Sequence, residues 1–133
     1  NDDLYIFGIL SSNVHMSWVR TVSGRMKSDY QYSANVVYNN FPWPSIDDKN
    51  KDIIRKTAQA IIDARKVYTS SSLADLYDEL TMPIELRKAH QENDRAVMEA
   101  YGMTKKVNGK KTWLSESETV EKLFSLYEKL AKK

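Results

Sequence analysis

The sequence contains no cysteine. That absence removes a disulfide framework, a thiol nucleophile and a cysteine-ligated metal site together. Histidine is nearly as scarce: His15 and His90 stand far apart, with no ligand spacing around either. His90 has Asp94 one helical turn later, and His15 lies beside Met16 and Trp18, so both read as hydrogen-bonded or packed structural histidines before they read as ligands. Only four glycines occur and no two are close, which excludes a glycine-rich phosphate loop. Apolar runs are short, far below the roughly 20 residues needed to cross a bilayer. No signal-peptide pattern opens the chain. A cytoplasmic location and no membrane partner are therefore expected. The opening "NDDLYIFG" has no Met and points to a segment cut from a longer protein.

What is present is an ordinary globular composition. The 133 residues are 41% hydrophobic and 29% charged, enough for one compact domain or a small domain with an appendage and unlike a disordered chain. The net charge of +2 neither requires nor excludes a nucleic-acid partner.

The chain has two kinds of patterning. Residues 1–45 hold few charges and many aromatics, among them Tyr5, Phe7, Trp18, Phe41 and Trp43. "LYIFGIL" suits either a buried strand or the start of a helix. "SSNVHMSWVRTVSG" reads as a short helix, with Ser11 or Ser12 as its cap, Val14 and Trp18 on one face, and Gly24 just past its end. "KSDYQYSANVVYNNF" alternates and is rich in Tyr and Val, predicting one strand or a hairpin. The prolines of "PWP" stop any ladder.

From residue 46 onward the spacing is helical. "SIDDKNKDIIRKTAQAIIDARKVY" places Ile54, Ala58, Ile61, Ile62 and Arg65 on one side. "SSSLADLYDEL" reads as a second, serine-capped helix, whose Asp75, Asp78 and Glu79 form a solvated face. "MPIELRKAHQENDRAVMEAYG" has Pro83 at a first-turn position and Gly102 as its stop. "SESETVEKLFSLYEKLAKK" opens with a Ser115–Glu118 capping box and carries the stripe Val120, Leu123, Phe124, Tyr127, Leu130. Asn108-Gly109 between the last two helices is a strong turn signal. The expected fold is mainly α: a small C-terminal helical bundle, with an N-terminal α/β piece that carries a short strand or hairpin. The expected division is 1–45 and 46–133.

No catalytic constellation emerges, and no cofactor or metal site. "NNFPWP" resembles the Asn-Pro-Pro-aromatic tetrapeptide of amino-methylating DNA methyltransferases. However, Phe41 separates Asn40 from Pro42 and Trp43 splits the prolines, so a structural turn with Trp43 packed in a core is expected. "GRMKSDYQYS" is more informative. In extended backbone Lys27, Asp29 and Gln31 share one face. Lys can donate to guanine O6 and N7, Asp can accept from cytosine N4, and Gln can pair with adenine. The same row also fits the solvent face of an edge strand, where Lys discourages aggregation.

"FGILSSNVHMSWVRTVSGRMKSDYQYSANVVYNNFPWP" followed by "LADLYDELTMPIELRKAHQENDRAVMEAYG" resembles the C-terminal end of MmeI-like (type IIL) restriction-modification enzymes and their stand-alone adenine-specific DNA methyltransferase relatives. The resemblance spans residues 4–102 and returns weakly in "EKLFSLYEKL"; "KKVNGKKTWLSES" departs from the family pattern. It implies a bacterial parent enzyme that methylates adenine N6 with S-adenosylmethionine, in some members fused to an endonuclease, with double-stranded DNA and the parent's catalytic domain as partners. This chain then corresponds to the end of the target-recognition domain plus the helical C-terminal domain, without catalytic activity of its own. The family's base-specifying positions fall on Lys27 and Asp29, with Gln31 next along the face where members often carry Arg. Arg20 and Arg25 become phosphate contacts, with helix capping or a surface ion pair as the alternative. Lys105, Lys106, Lys110 and Lys111 flank the turn and either approach phosphate or form a solvated loop. The rival reading is a helical module that docks on a protein, either the catalytic core or a partner subunit.

Overall fold

Helical spacing is realised at six places in a computed structural model that describes residues 3–25, 41–44, 46–68 and 70–131. The elements are α1 (Asp3–Leu10), α2 (Asn13–Arg25), α3 (Asp48–Lys66), α4 (Leu73–Leu76), α5 (Ile84–Tyr101), β1 (Thr104–Val107), β2 (Lys110–Trp113) and α6 (Glu116–Ala131). The chain is mainly α, and β1 and β2 form one antiparallel pair. "LYIFGIL", open between strand and helix in the sequence, is helical. The residues group into two compact units, Asn1–Ser12 with Ile46–Val97, and Asn13–Ser45 with Met98–Lys133.

The first unit is built on α3. Asp47 caps it, its carboxylate accepting from the Asn50 N–H at 2.9 Å. Ile54, Ala58 and Ile61 are fully buried, while Ile62 and Arg65 on the flank are half-buried. Each buried Ile contributes about 1.5–3 kcal/mol relative to exposure. Close approach of α1 to α3 depends on Gly8: a Cβ there would lie 2.6 Å from Ile54 Cγ2. The seam is locked by buried Asn93, whose amide donates to Gly8 O at 2.8 Å and accepts from Thr57 Oγ1 at 2.8 Å. A second cluster joins Ile61, Leu76, Leu86 and Ala89, with Phe7, Tyr68 and Met82 packed against it.

Two details of this unit differ from the sequence reading. α4 is a single turn capped by Ser72 and ends well short of Leu80. The Asp78 carboxylate accepts from Leu80 N–H at 2.8 Å, and Thr81 Oγ1 donates to Asp75 O at 2.5 Å. These local side-chain bonds compete with helix continuation. Pro83 is the cap rather than a first-turn residue, because its carbonyl accepts from Arg87 N–H at 3.0 Å and α5 starts at Ile84.

In the second unit Val14, Trp18 and Val22 lie one turn apart on α2 and are 1%, 0% and 2% exposed. Trp18 meets Phe124 at 4.9 Å and Tyr127 at 5.9 Å between ring centroids. Gly24, expected beyond the helix, lies inside it, as α2 runs to Arg25. A glycine costs a helix about 1 kcal/mol relative to Ala, less than the buried face supplies. Phe41 fills the space beside Trp18 and His15. Trp43 is 41% exposed and covers Phe41 from outside, which corrects its expected core position. Leu123 is the buried centre of the α6 stripe, and Leu130 at its end is exposed.

The stop at Gly102 is a Schellman motif. Gly102 has φ +70°, its N–H donates to Glu99 O, and Met103 N–H donates to Met98 O at 2.8 Å. The Ser115–Glu118 capping box forms in both directions, at 2.9 and 3.2 Å.

Candidate nucleic-acid interface

The three residues expected to read bases, Lys27, Asp29 and Gln31, lie outside the described residues, as does the expected strand or hairpin that carries them. What is described is the helix that leads into them. α2 is anchored by Trp18 and Val22 and extends to Arg25, two residues before Lys27. The Arg25 side chain also lies outside the described residues.

Arg20, one of the expected phosphate contacts, projects from the exposed face of α2 and donates to the Glu116 carboxylate. Ser17 Oγ reaches the same carboxylate at 3.3 Å and Asn13 O at 2.7 Å. The Arg20 hydrogen bond and charge hold Glu116 below the usual carboxylate range. The pair borders a groove of about 240 Å³ lined by Val14, Ser17, Met98, Leu114 and Thr119. This falls below the roughly 300–1,000 Å³ of typical small-molecule sites.

The four expected lysines sit on the β1–β2 hairpin. Asn108 (φ 53°) and Gly109 (φ 80°) both take the left-handed conformation that a two-residue hairpin turn requires. The register pairs Thr104 with Trp113, Lys105 with Thr112, Lys106 with Lys111 and Val107 with Lys110. Because side chains alternate across a strand, Lys106 and Lys111 share one face of the ribbon, and Lys105 and Lys110 share the other. Lys105 Nζ donates to Glu118 Oε2 at 2.7 Å. That bond, then the Ser115 N–H, lowers the Glu118 pKa to about 2. Lys111 donates to Glu99 and lies 5.4 Å from the Trp113 ring centroid. Leu114 N–H donates to Met103 O at 3.1 Å and fastens the base of the ribbon. Among the described residues Lys106 and Lys110 make no ion pair, and both are exposed.

His90 is accounted for by Tyr77 in the first unit. Arg65 Nε donates to the Tyr77 hydroxyl at 2.8 Å, and the same hydroxyl is hydrogen-bonded to His90 Nε2 at 2.7 Å. Burial, then the Arg65 charge, pushes the His90 pKa down. His15 packs edge-on against Phe41 at 4.8 Å. Among the described residues no three His, Asp or Glu side chains gather as a metal site. No described helix is long and apolar enough to cross a membrane.

Sequence reasoning missed Glu99, Glu116 and Glu118 as partners of basic residues. Only the Glu118 capping role had a local signature; the long-range pairs depend on where the hairpin and α2 meet other elements. Asn93 was missed for the same reason.

A helical scaffold with a basic hairpin and an aromatic-anchored helix suits a DNA-recognition class of domain, and comparisons with known proteins give its family. Residues 1–45 match the family model described as the MmeI target recognition domain, and residues 46–133 match the one described as the MmeI C-terminal domain. The chain belongs to the MmeI family. It is 39% identical over 131 residues to DNA methyltransferase A of Bacillus subtilis (strain 168), covering 98% of this chain and 14% of that protein. It is also similar to the solved structure of the type IIL restriction-modification enzyme MmeI in complex with DNA, at TM-score 0.80 and 44% identity, covering 98% of this chain and 17% of that one. The chain thus spans about a seventh of the curated relative's length.

Proposed function

We propose that this chain is the DNA-recognition and C-terminal part of a site-specific adenine-N6 DNA methyltransferase, in some contexts fused to an endonuclease. It binds double-stranded DNA beside the parent's catalytic domain in the bacterial cytoplasm. The observation that carries the reading is the match of residues 1–45 to a target recognition domain and of 46–133 to its C-terminal neighbour, together with the DNA complex of a relative at 44% identity.

In this reading Lys27 and Asp29 meet the two halves of one G·C pair, and Gln31 meets the next position. Arg20, Arg25 and the hairpin lysines Lys105, Lys106, Lys110 and Lys111 supply the positive field that positions the duplex. Arg20, Lys105 and Lys111 do so while already paired with carboxylates.

The parent's chemistry calls for S-adenosylmethionine. The described residues do not fit it. The paired strands form an antiparallel hairpin closed by Asn108-Gly109, not a strand followed by a glycine loop and a helix, and the groove beside Arg20, at about 240 Å³, is too small for an adenosine with its sulfonium side chain. No methyl-transfer step is assigned to these residues.

The alternative is a helical module whose partner is protein. Apolar side chains exposed on the first unit favour it, among them Val67 at 73%, Leu80 at 94% and Ile84 at 69%. Salt titration separates the two. Duplex binding anchored on phosphate weakens steeply as salt rises, because each neutralised phosphate releases counterions. A salt-independent association with protein, and none with duplex, would replace the DNA reading.

A further inference from the structure

The hairpin's lysines are divided by their surroundings into anchors and free charges. Lys105 is tied to Glu118 on α6 and Lys111 to Glu99 on α5. Each link joins one strand to a different helix, Lys105 on the base side of β1 and Lys111 nearer the turn on β2. Lys110 adjoins the turn residue Gly109 and Lys106 is separated from Asn108 by Val107, and the two lysines lie on opposite faces of the ribbon. Neither has a carboxylate partner among the described residues.

Lys106 is moreover directly opposite Lys111. Like charges at facing positions destabilise a strand pair. Pairing with Glu99 and contact with Trp113 relieve Lys111, and Lys106 is left beside a cation with no anion of its own among the described residues. An arriving anion would relieve that repulsion. Two ammonium groups on opposite faces of a thin ribbon point to opposite sides. They can both reach a concave surface with negative charge on two sides, which is what the phosphate rows walling a duplex groove present. A two-stranded ribbon is narrow enough to enter the major groove.

Resting on the DNA-recognition reading, we propose that Lys106 and Lys110 contact phosphates on the two walls of one duplex groove, while Lys105 and Lys111 add to the positive field and hold the ribbon in place through their carboxylate partners. The contacts carry no sequence information.

The test is the salt dependence of duplex binding by the enzyme that contains this chain, comparing wild type with Lys106→Gln, Lys110→Gln and the double variant. Glutamine removes the charge and keeps an unbranched polar side chain. Each single change should lower the slope of log K against log salt by about 0.9 and the double change by about 1.8, with an unchanged sequence preference. An unchanged melting temperature would show that the fold is intact. A steep wild-type slope retained in the double variant overturns this inference and leaves the DNA-recognition reading standing. A flat wild-type slope overturns both. A changed sequence preference would make these lysines base readers and would contradict the assignment to phosphate.

Discussion

The β1–β2 hairpin and the segment between α3 and α5 are both exposed surface elements, yet they are held in opposite ways. The hairpin carries four lysines and is fastened by charge, with Lys105 on Glu118 and Lys111 on Glu99. The segment carries Asp75, Asp78 and Glu79 and is fastened by its interior, with Leu76 buried at 4% in a cluster with Ile61 and Leu86. Its polar groups bond locally, as Asp78 does to Leu80 N–H. Two exposed pieces of one chain thus differ in what they can meet. Phosphate is attracted to the first and repelled by the carboxylates of the second. The second offers apolar side chains, Leu73 and Leu80 among them, which suit a protein surface.

The comparison breaks most completely if the core beneath one element is removed. Trp18→Ala empties the aromatic centre against Phe41, Phe124 and Tyr127 and should cost about 3–5 kcal/mol. Chemical denaturation would measure it, and the Tyr77–His90 pair of the first unit provides a separate NMR reporter. Gly8→Ala attacks the first unit instead. Its Cβ would collide with Ile54 Cγ2 and press on Asn93 Oδ1, at a cost of about 1–3 kcal/mol by the same assay. Asn93→Ala removes the side-chain donor to buried Gly8 O and leaves the Thr57 hydroxyl only Ile54 O, for about 1–3 kcal/mol.

Acid should loosen both elements, in different pH windows. Glu118 has its pKa lowered from 4.5 to about 2 by Lys105 and the Ser115 N–H. A carboxyl depressed in the folded state contributes stability above its unfolded pKa. That contribution is lost as pH falls from about 4.5 toward about 2. Amide exchange at Lys105–Val107 should rise across that window, and Glu118→Gln should remove the dependence. His90 behaves with the same sign for a different reason. Its folded pKa is depressed below 6.5 by burial and Arg65, so its contribution is present above 6.5 and declines as pH falls below it. The smallest expected effect is that of Leu80→Ser: at 94% exposure it should change stability by no more than about 0.5 kcal/mol.

The sequence made some of this architecture legible, and the reasons differ by element. The Ser115–Glu118 box, the Gly102 stop and the Asn108-Gly109 turn are written within a few residues, and all three formed as read. The 14, 18 face of α2 and the 54, 58, 61 face of α3 followed from period alone. The early end of α4 differs from the helical pattern because Asp78 and Thr81 compete for its backbone. Trp43 was placed inside since large aromatics are usually buried, but Phe41 occupies that space and Trp43 caps it. The carboxylate partners of Arg20, Lys105 and Lys111 lie 12 to 96 residues away in sequence and have no local signature. Lys27, Asp29 and Gln31 fall outside the described residues, and their reading rests on alternation and family likeness.

The most direct test is a double exchange, Lys27→Glu with Asp29→Arg, in the full enzyme, followed by sequencing of its methylated sites. A change of the preferred base pair at one position, with the rest of the motif kept, is the predicted result. An unchanged motif would contradict base reading by these two residues.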